Sequence, residues 1–62
     1  MNLYRFSYRQ INRAVPLSVF KTTWSRANMD EAVQAARDIN ATINDAKVWR
    51  VEDIDSGETV EL

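Results

Sequence analysis

The side chains able to do chemistry in this chain are its arginines, its carboxylates and a group of aromatic rings. The bases come first: Arg5, Arg9, Arg13, Lys21 and Arg26 precede every acid. The nine acids begin at Asp30, and Glu52, Asp53, Asp55, Glu58 and Glu61 crowd the end of the chain. Five bases and no acid give residues 1–29 a charge of +5, while three bases (Arg37, Lys47, Arg50) against nine acids give residues 30–62 a charge of −6. The net charge of −1 therefore conceals a strong dipole. Such a split bears on steering and partner choice rather than on fold. Arginine suits an interface, because its planar fork holds a carboxylate or phosphate at two points.

Other chemistries lack their residues. There is no histidine and no cysteine, which removes the usual zinc ligands, the thiolate nucleophile and the side chain that most often serves as general base near neutral pH. Serine and threonine are present without an activating base, and no glycine-rich phosphate loop occurs. Asp53-x-Asp55 followed by Glu58 lacks the spacing of a calcium loop. No enzymatic activity, metal or cofactor is expected. Asn40-Ala41-Thr42 matches a glycosylation sequon, and no secretion signal accompanies it. No apolar run approaches the roughly 20 residues needed to span a bilayer. A chain of 62 residues with one glycine, one proline and no linker makes a single folded domain over 1–62, of the small kind whose stability is only a few kcal/mol.

The elements that would position these groups follow from periodicity. Tyr4, Phe6 and Tyr8 alternate with Arg5, Ser7, Arg9, Ile11 and Arg13, which predicts a half-buried strand with aromatics inward and arginines outward. Asn12 to Pro16 breaks the alternation and reads as a loop. A second strand is expected over Leu17 to Ser25, with Phe20 and Trp24 on the aromatic side. Asn28 followed by Asp30 and Glu31 resembles a capping box at a helix start, with acids where the helix dipole favours them. Met29, Ala32, Val33, Ala36 and Ile39 form one apolar stripe, and the helix should fade between Asn40 and Asn44. Lys47 to Asp53 is strand-like, Asp55-Ser56-Gly57-Glu58 is a turn, and Thr59 to Leu62 closes a hairpin. Apolar matching favours a register with Val51 opposite Leu62 and Asp53 opposite Val60, so that Trp49, Val51, Val60 and Leu62 share the buried face.

The order β-β-α-β-β predicts an α+β domain: a four-stranded antiparallel sheet, order 2-1-3-4, with one helix on one face. One helix cannot cover both faces. The uncovered face is then expected to carry Arg5, Arg9, Arg13, Lys21 and Arg50, with Glu52, and with Ile11, Val48 and Ile54 adding apolar area. Arg5, Arg9, Arg13, Lys21, Arg50, Ile11 and Ile54 are the expected partner-binding residues. A half-solvated sheet is polar outside in any case, and an arginine across from Glu52 can be a plain cross-strand pair. The aromatic side, Tyr4, Phe6, Tyr8, Phe20 and Trp24, is expected to be core. The acidic hairpin end could dock on a basic groove, or could simply keep an edge strand from pairing.

The stretch Thr22-Thr23-Trp24-Ser25-Arg26-Ala27-Asn28-Met29-Asp30-Glu31-Ala32, followed by Val48-Trp49-Arg50-Val51, resembles small bacteriophage proteins that disable host machinery, namely T7-type inhibitors of host RNA polymerase and small type I anti-CRISPR proteins. In these a β-hairpin leads into a helix opening with an acidic Glu-Ala step, and a Val-x-Arg-Val-like strand follows. The resemblance spans about two-thirds of the chain and carries over no functional residue. It implies a non-enzymatic inhibitor, in the host cytoplasm, that occludes a host protein or nucleoprotein complex. Direct nucleic-acid binding by the basic face is the alternative, against which the pI of about 5.2 counts. A homodimer pairing edge strands or open faces is the third.

Overall fold

A computed structural model describes residues 1–14 and 20–62. Its elements are β1 (Asn2–Gln10), β2 (Lys21–Arg26), α1 (Met29–Thr42), β3 (Ala46–Asp53) and β4 (Thr59–Glu61). The four strands make one antiparallel sheet in the order β2-β1-β3-β4, and α1 lies on one face. The α+β architecture expected from the alternating and helical periods is thus the one found. β2 begins later than its β-rich run suggested, and Val15 to Val19, including the expected turn proline and the start of that run, lie outside the described residues.

Small residues decide how the helix meets the sheet. Ala32 and Ala36 on α1 are fully buried against Tyr4 and Phe6 of β1 and Val48 and Val51 of β3. An alanine stripe lets the helix approach closely, and Met29, Val33, Ala35, Ile39 and Tyr8 close the margins. The helix starts where its cap predicts. Asn28 is extended, and its side chain accepts a hydrogen bond from the Glu31 N–H at 2.9 Å. Glu31 Oε2 returns the contact by accepting from the Ala27 N–H at 3.3 Å, one residue earlier than the usual box. The last turn of α1 holds no base. Lys47, from β3, supplies the charge instead: its ammonium donates to the carbonyls of Asn40 and Ile43, where the helix dipole is negative.

The core has no member from β2. This corrects the expectation that Phe20 and Trp24 are buried: Phe20 is 60% exposed and Trp24 39%. Both lie on the helix side of the sheet, Trp24 with its ring 6.2 Å from that of Phe6. However, the buried residues of α1 pack on side chains of β1 and β3, and where α1 also meets β2 it buries no β2 side chain.

Two further expectations fail for one reason, a β-bulge. β1 and β3 pair as Phe6–Val51 and Ser7–Arg50, then as Tyr8–Val48 and Arg9–Lys47, so the register slips at Ser7/Tyr8 and Trp49 is the extra residue. A bulge turns two successive side chains to the same side. Val48 and Val51, three apart, therefore both enter the core, and both are essentially inaccessible. Val48 had been assigned to the open face and Trp49 to the core; the bulge exchanges them. The hairpin register also differs from expectation by two residues. Val51 faces Val60, Arg50 faces Glu61 and Glu52 faces Thr59. The shift keeps the same side chains facing the helix, which is why apolar alternation alone could not separate the two registers. The loop decides between them. Asp53 Oδ1 accepts from the N–H groups of Asp55 and Ser56, Gly57 N–H donates to the Asp53 carbonyl, and Gly57 takes φ +78°. Asp53 is held at the mouth of the turn and cannot pair deeper in the strand.

Candidate interaction face of the sheet

The face turned away from α1 is built in rows. Across β3, β1 and β2 run Arg50, Ser7 and Lys21, with Glu61 of β4 beyond Arg50. The next row runs Thr59, Glu52, Arg5 and Thr23. Arg9 begins the row beyond the bulge. Four of the seven expected contact residues, Arg5, Arg9, Lys21 and Arg50, are thus brought to one surface. Arg13 and Ile11 are exposed past the end of β1, where the N–H of Ile11 still donates to the Asp45 carbonyl. Ile54, 37% exposed, lies past the opposite end of β3, its N–H bonded to the Leu3 carbonyl. The two isoleucines therefore stand at opposite ends of the face and form no common apolar centre.

That centre is supplied by Trp49, which sequence reasoning had placed in the core. The guanidinium of Arg50 lies 4.8 Å from the Trp49 ring centroid and that of Arg9 5.7 Å. Two cations held against one indole ring form a flat, part-apolar and positively charged patch. The signal for it was present in Val48-Trp49-Arg50-Val51: two valines three apart inside a strand cannot both be buried unless a bulge lies between them.

The charges of the face are unequal in their freedom. Arg5 is paired with Glu52, Nη1 to Oε1 at 3.3 Å, the one ion pair among the described residues. This is the cross-strand pair that the sequence allowed for. Arg9, Arg50 and Lys21 have no carboxylate partner among the described residues. Across from Arg50 on β1 lies Ser7, 4% exposed. Neither Ser7 Oγ nor Arg50 Nε has a hydrogen-bond partner among the described residues. The cationic centre is therefore Arg9–Trp49–Arg50, with Lys21 one strand away and Arg5 neutralised beside it.

A surface cleft of about 640 Å³ opens elsewhere, between the end of α1 and the sheet, lined by Tyr8, Thr22, Thr42, Ile43, Asn44, Asp45 and Ala46. Its two sheet hydroxyls, Tyr8 and Thr22, are tied to each other at 2.9 Å, and Thr22 Oγ1 also accepts from Trp24 Nε1 at 2.8 Å. Asp45 is its one carboxylate. The sequon residue Asn40 is half-buried, with its amide bonded to the Val48 backbone, a contact that a glycan on Asn40 would break.

The chain matches no protein-family model, no curated protein and no solved structure. Among the described residues no helix is long and apolar enough to cross a membrane.

Proposed function

We propose that this chain is a non-enzymatic binding module that docks through the uncovered face of its sheet onto an acidic surface of a larger protein or nucleoprotein complex and blocks it. The class of target that the phage-inhibitor resemblance implies is a host machine such as a CRISPR-Cas complex or an RNA polymerase, met in the host cytoplasm. The observation that carries this reading is the Arg9–Trp49–Arg50 cluster. Tryptophan and arginine are the residue types that dominate interface energetics, and here they sit on the face of the sheet turned away from α1. Basic residues of β1 and β2 occupy one side of this face and Glu52 and Glu61 of the hairpin the other, so the charge split would orient the encounter.

The test is capture of partners from a bacterial lysate by the tagged chain, with and without nuclease, beside the variant Arg9→Glu/Arg50→Glu. A stoichiometric protein partner that survives nuclease and is lost in the variant is expected. Retention of that partner by the double variant would show that the face is wrongly assigned.

A second reading, direct binding of single-stranded nucleic acid, is favoured by one observation, an indole flanked by arginines on an open sheet, where a base could stack. Glu52 and Glu61 on the same face oppose a phosphate backbone. Affinity for oligonucleotides that falls steeply with salt, together with partners that vanish on nuclease treatment, would favour this reading over the first.

A further inference from the structure

The sheet ends in two edges of opposite charge. The outer strand β2 carries Lys21 and Arg26 and no acid. The other outer strand, β4, carries Glu61 and is preceded by Glu58, with no base. Charged residues at an edge keep like edges apart. Pairing β2 with β2 of a second copy would bring Lys21 and Arg26 of both chains together, and pairing β4 with β4 would crowd their glutamates. Pairing β2 with β4 has no such conflict.

The ladders inside the domain fix which backbone groups are left for an outside strand. The N–H of Tyr8 donates to the Phe20 carbonyl at 2.8 Å, so the even residues of β2 turn their backbone groups toward β1. Lys21, Thr23 and Ser25 consequently direct theirs outward. On the other edge, Asp53 N–H donates to Glu58 O and Leu62 N–H to Trp49 O, so Glu58, Val60 and Leu62 turn inward to β3 while Thr59 and Glu61 turn outward. An added strand must therefore set odd residues against odd residues.

We propose that β2 of one copy accepts β4 of a second, head to tail, with Lys21 opposite Glu61 of the second copy and Thr23 opposite its Thr59. Each of these pairs exchanges two backbone hydrogen bonds. On the face away from the helix, the Lys21 ammonium meets the Glu61 carboxylate. On the helix side, the same register sets Phe20 against Leu62 of the second copy and Thr22 against its Val60. It thereby covers Phe20, 60% exposed, and Leu62, 39% exposed in the single chain. A shift by two residues, also allowed by parity, would set Arg26 against Glu58 but leave Lys21 and Phe20 outside. Arg26 is already engaged, over the Trp24 ring at 5.5 Å and donating to the Ser25 carbonyl at 2.7 Å. β2 and β4 run in opposite directions within the sheet, so the contact continues it as an antiparallel sheet with every helix on the same side and every Arg9–Trp49–Arg50 cluster on the other.

A contact of this kind does not close on itself, so each added copy offers a fresh edge and the product is an open series rather than a dimer. β4 is short, so association is weak. The experiment is sedimentation velocity from about 10 μM to about 1 mM, the range in which so small an interface associates, at low and high salt. The average mass is expected to rise past that of two chains at low salt and to fall at high salt. Lys21→Glu and Glu61→Lys should each weaken association at least about tenfold, and the chain carrying both should recover it. Thr23→Pro removes one outward N–H that the fold itself does not use, and should abolish association while circular dichroism stays unchanged. The charge-exchange pair keeps the test decisive if that proline prevents folding. A mass of one chain at every concentration, a mass that stops at two chains, or association indifferent to both charge reversals would each overturn the proposal.

Discussion

Asn40 of α1 occupies both backbone groups of Val48 on β3: its Nδ2 donates to the Val48 carbonyl at 3.0 Å, and its Oδ1 accepts from the Val48 N–H at 2.7 Å. β4 pairs with β3 only from Trp49 onward, through Leu62 N–H to the Trp49 carbonyl. Where the last strand stops, a side-chain amide from the helix takes its place in the ladder. The helix is thus bonded to the sheet as well as packed on it, at the point where the bulge begins.

Replacing the half-buried Asn40 by Ala would leave the backbone donor and acceptor of the buried Val48 without these partners. The expected cost is about 2 kcal/mol, read as a lowered midpoint with an unchanged slope in urea unfolding. A change within about 0.5 kcal/mol would mean that water replaces the amide at no cost, as at ordinary surface sites.

Val48 and Trp49 should respond in the opposite order to that implied by their sizes. Val48→Ala empties part of a closed core and should cost about 2 kcal/mol. Trp49→Ala removes a ring lying on the open face among guanidinium groups, and should cost about 1 kcal/mol while weakening partner capture more than any single arginine change. A tryptophan buried in the core would cost about 3–5 kcal/mol on the same change, so chemical denaturation of the two variants distinguishes the bulged strand from a regular one.

Ser7→Ala should be neutral or stabilising by up to about 1 kcal/mol. The hydroxyl is buried without a hydrogen-bond partner among the described residues, so its removal deletes a desolvation cost and no bond. Thermal unfolding of the variant checks this, and a clear loss of stability would mean that the hydroxyl is bonded in solution.

Gly57→Ala tests the turn that sets the last register. A Cβ at Gly57 would meet no atom within 4 Å, so crowding contributes nothing, but the φ of +78° is one that L residues resist. The cost should be about 1 kcal/mol, or roughly 4–8 °C in melting temperature for a domain of this size. Gly57→Asn should cost less, because asparagine tolerates the left-handed region. Equal costs for the two would point away from backbone conformation as the cause.

Much of the architecture was legible from local pattern. The alternation of Tyr4, Phe6 and Tyr8 with arginines, the Asn28–Glu31 cap and the stripe through Ala32 and Ala36 each express a single element's preference, and each element formed where its pattern lies. Of the candidate site, Arg5, Arg9, Lys21 and Arg50 could be placed on one face by counting in twos. Trp49 could not, because the bulge breaks that count, and the two valines three apart in β3 point to a bulge only once both are known to be buried.

The amino-acid order by itself determined which segments are strands or helix, the antiparallel sheet of order 2-1-3-4, the separation of basic from acidic halves, and the absence of histidine and cysteine chemistry. These depend on periodicity and composition, which act within one element or over the whole chain. Tertiary structure decided the rest. Burying Val48 and Val51 together under one alanine-faced helix goes with the bulge that turned Trp49 outward between Arg9 and Arg50. The carboxylate of Asp53 gripping its own turn fixed Val51 against Val60. The seat of the helix core on β1 and β3 left Phe20 and Trp24 partly exposed. Each outcome depends on competition between residues distant in the chain for the same buried space or the same backbone group, and no local pattern carries that information.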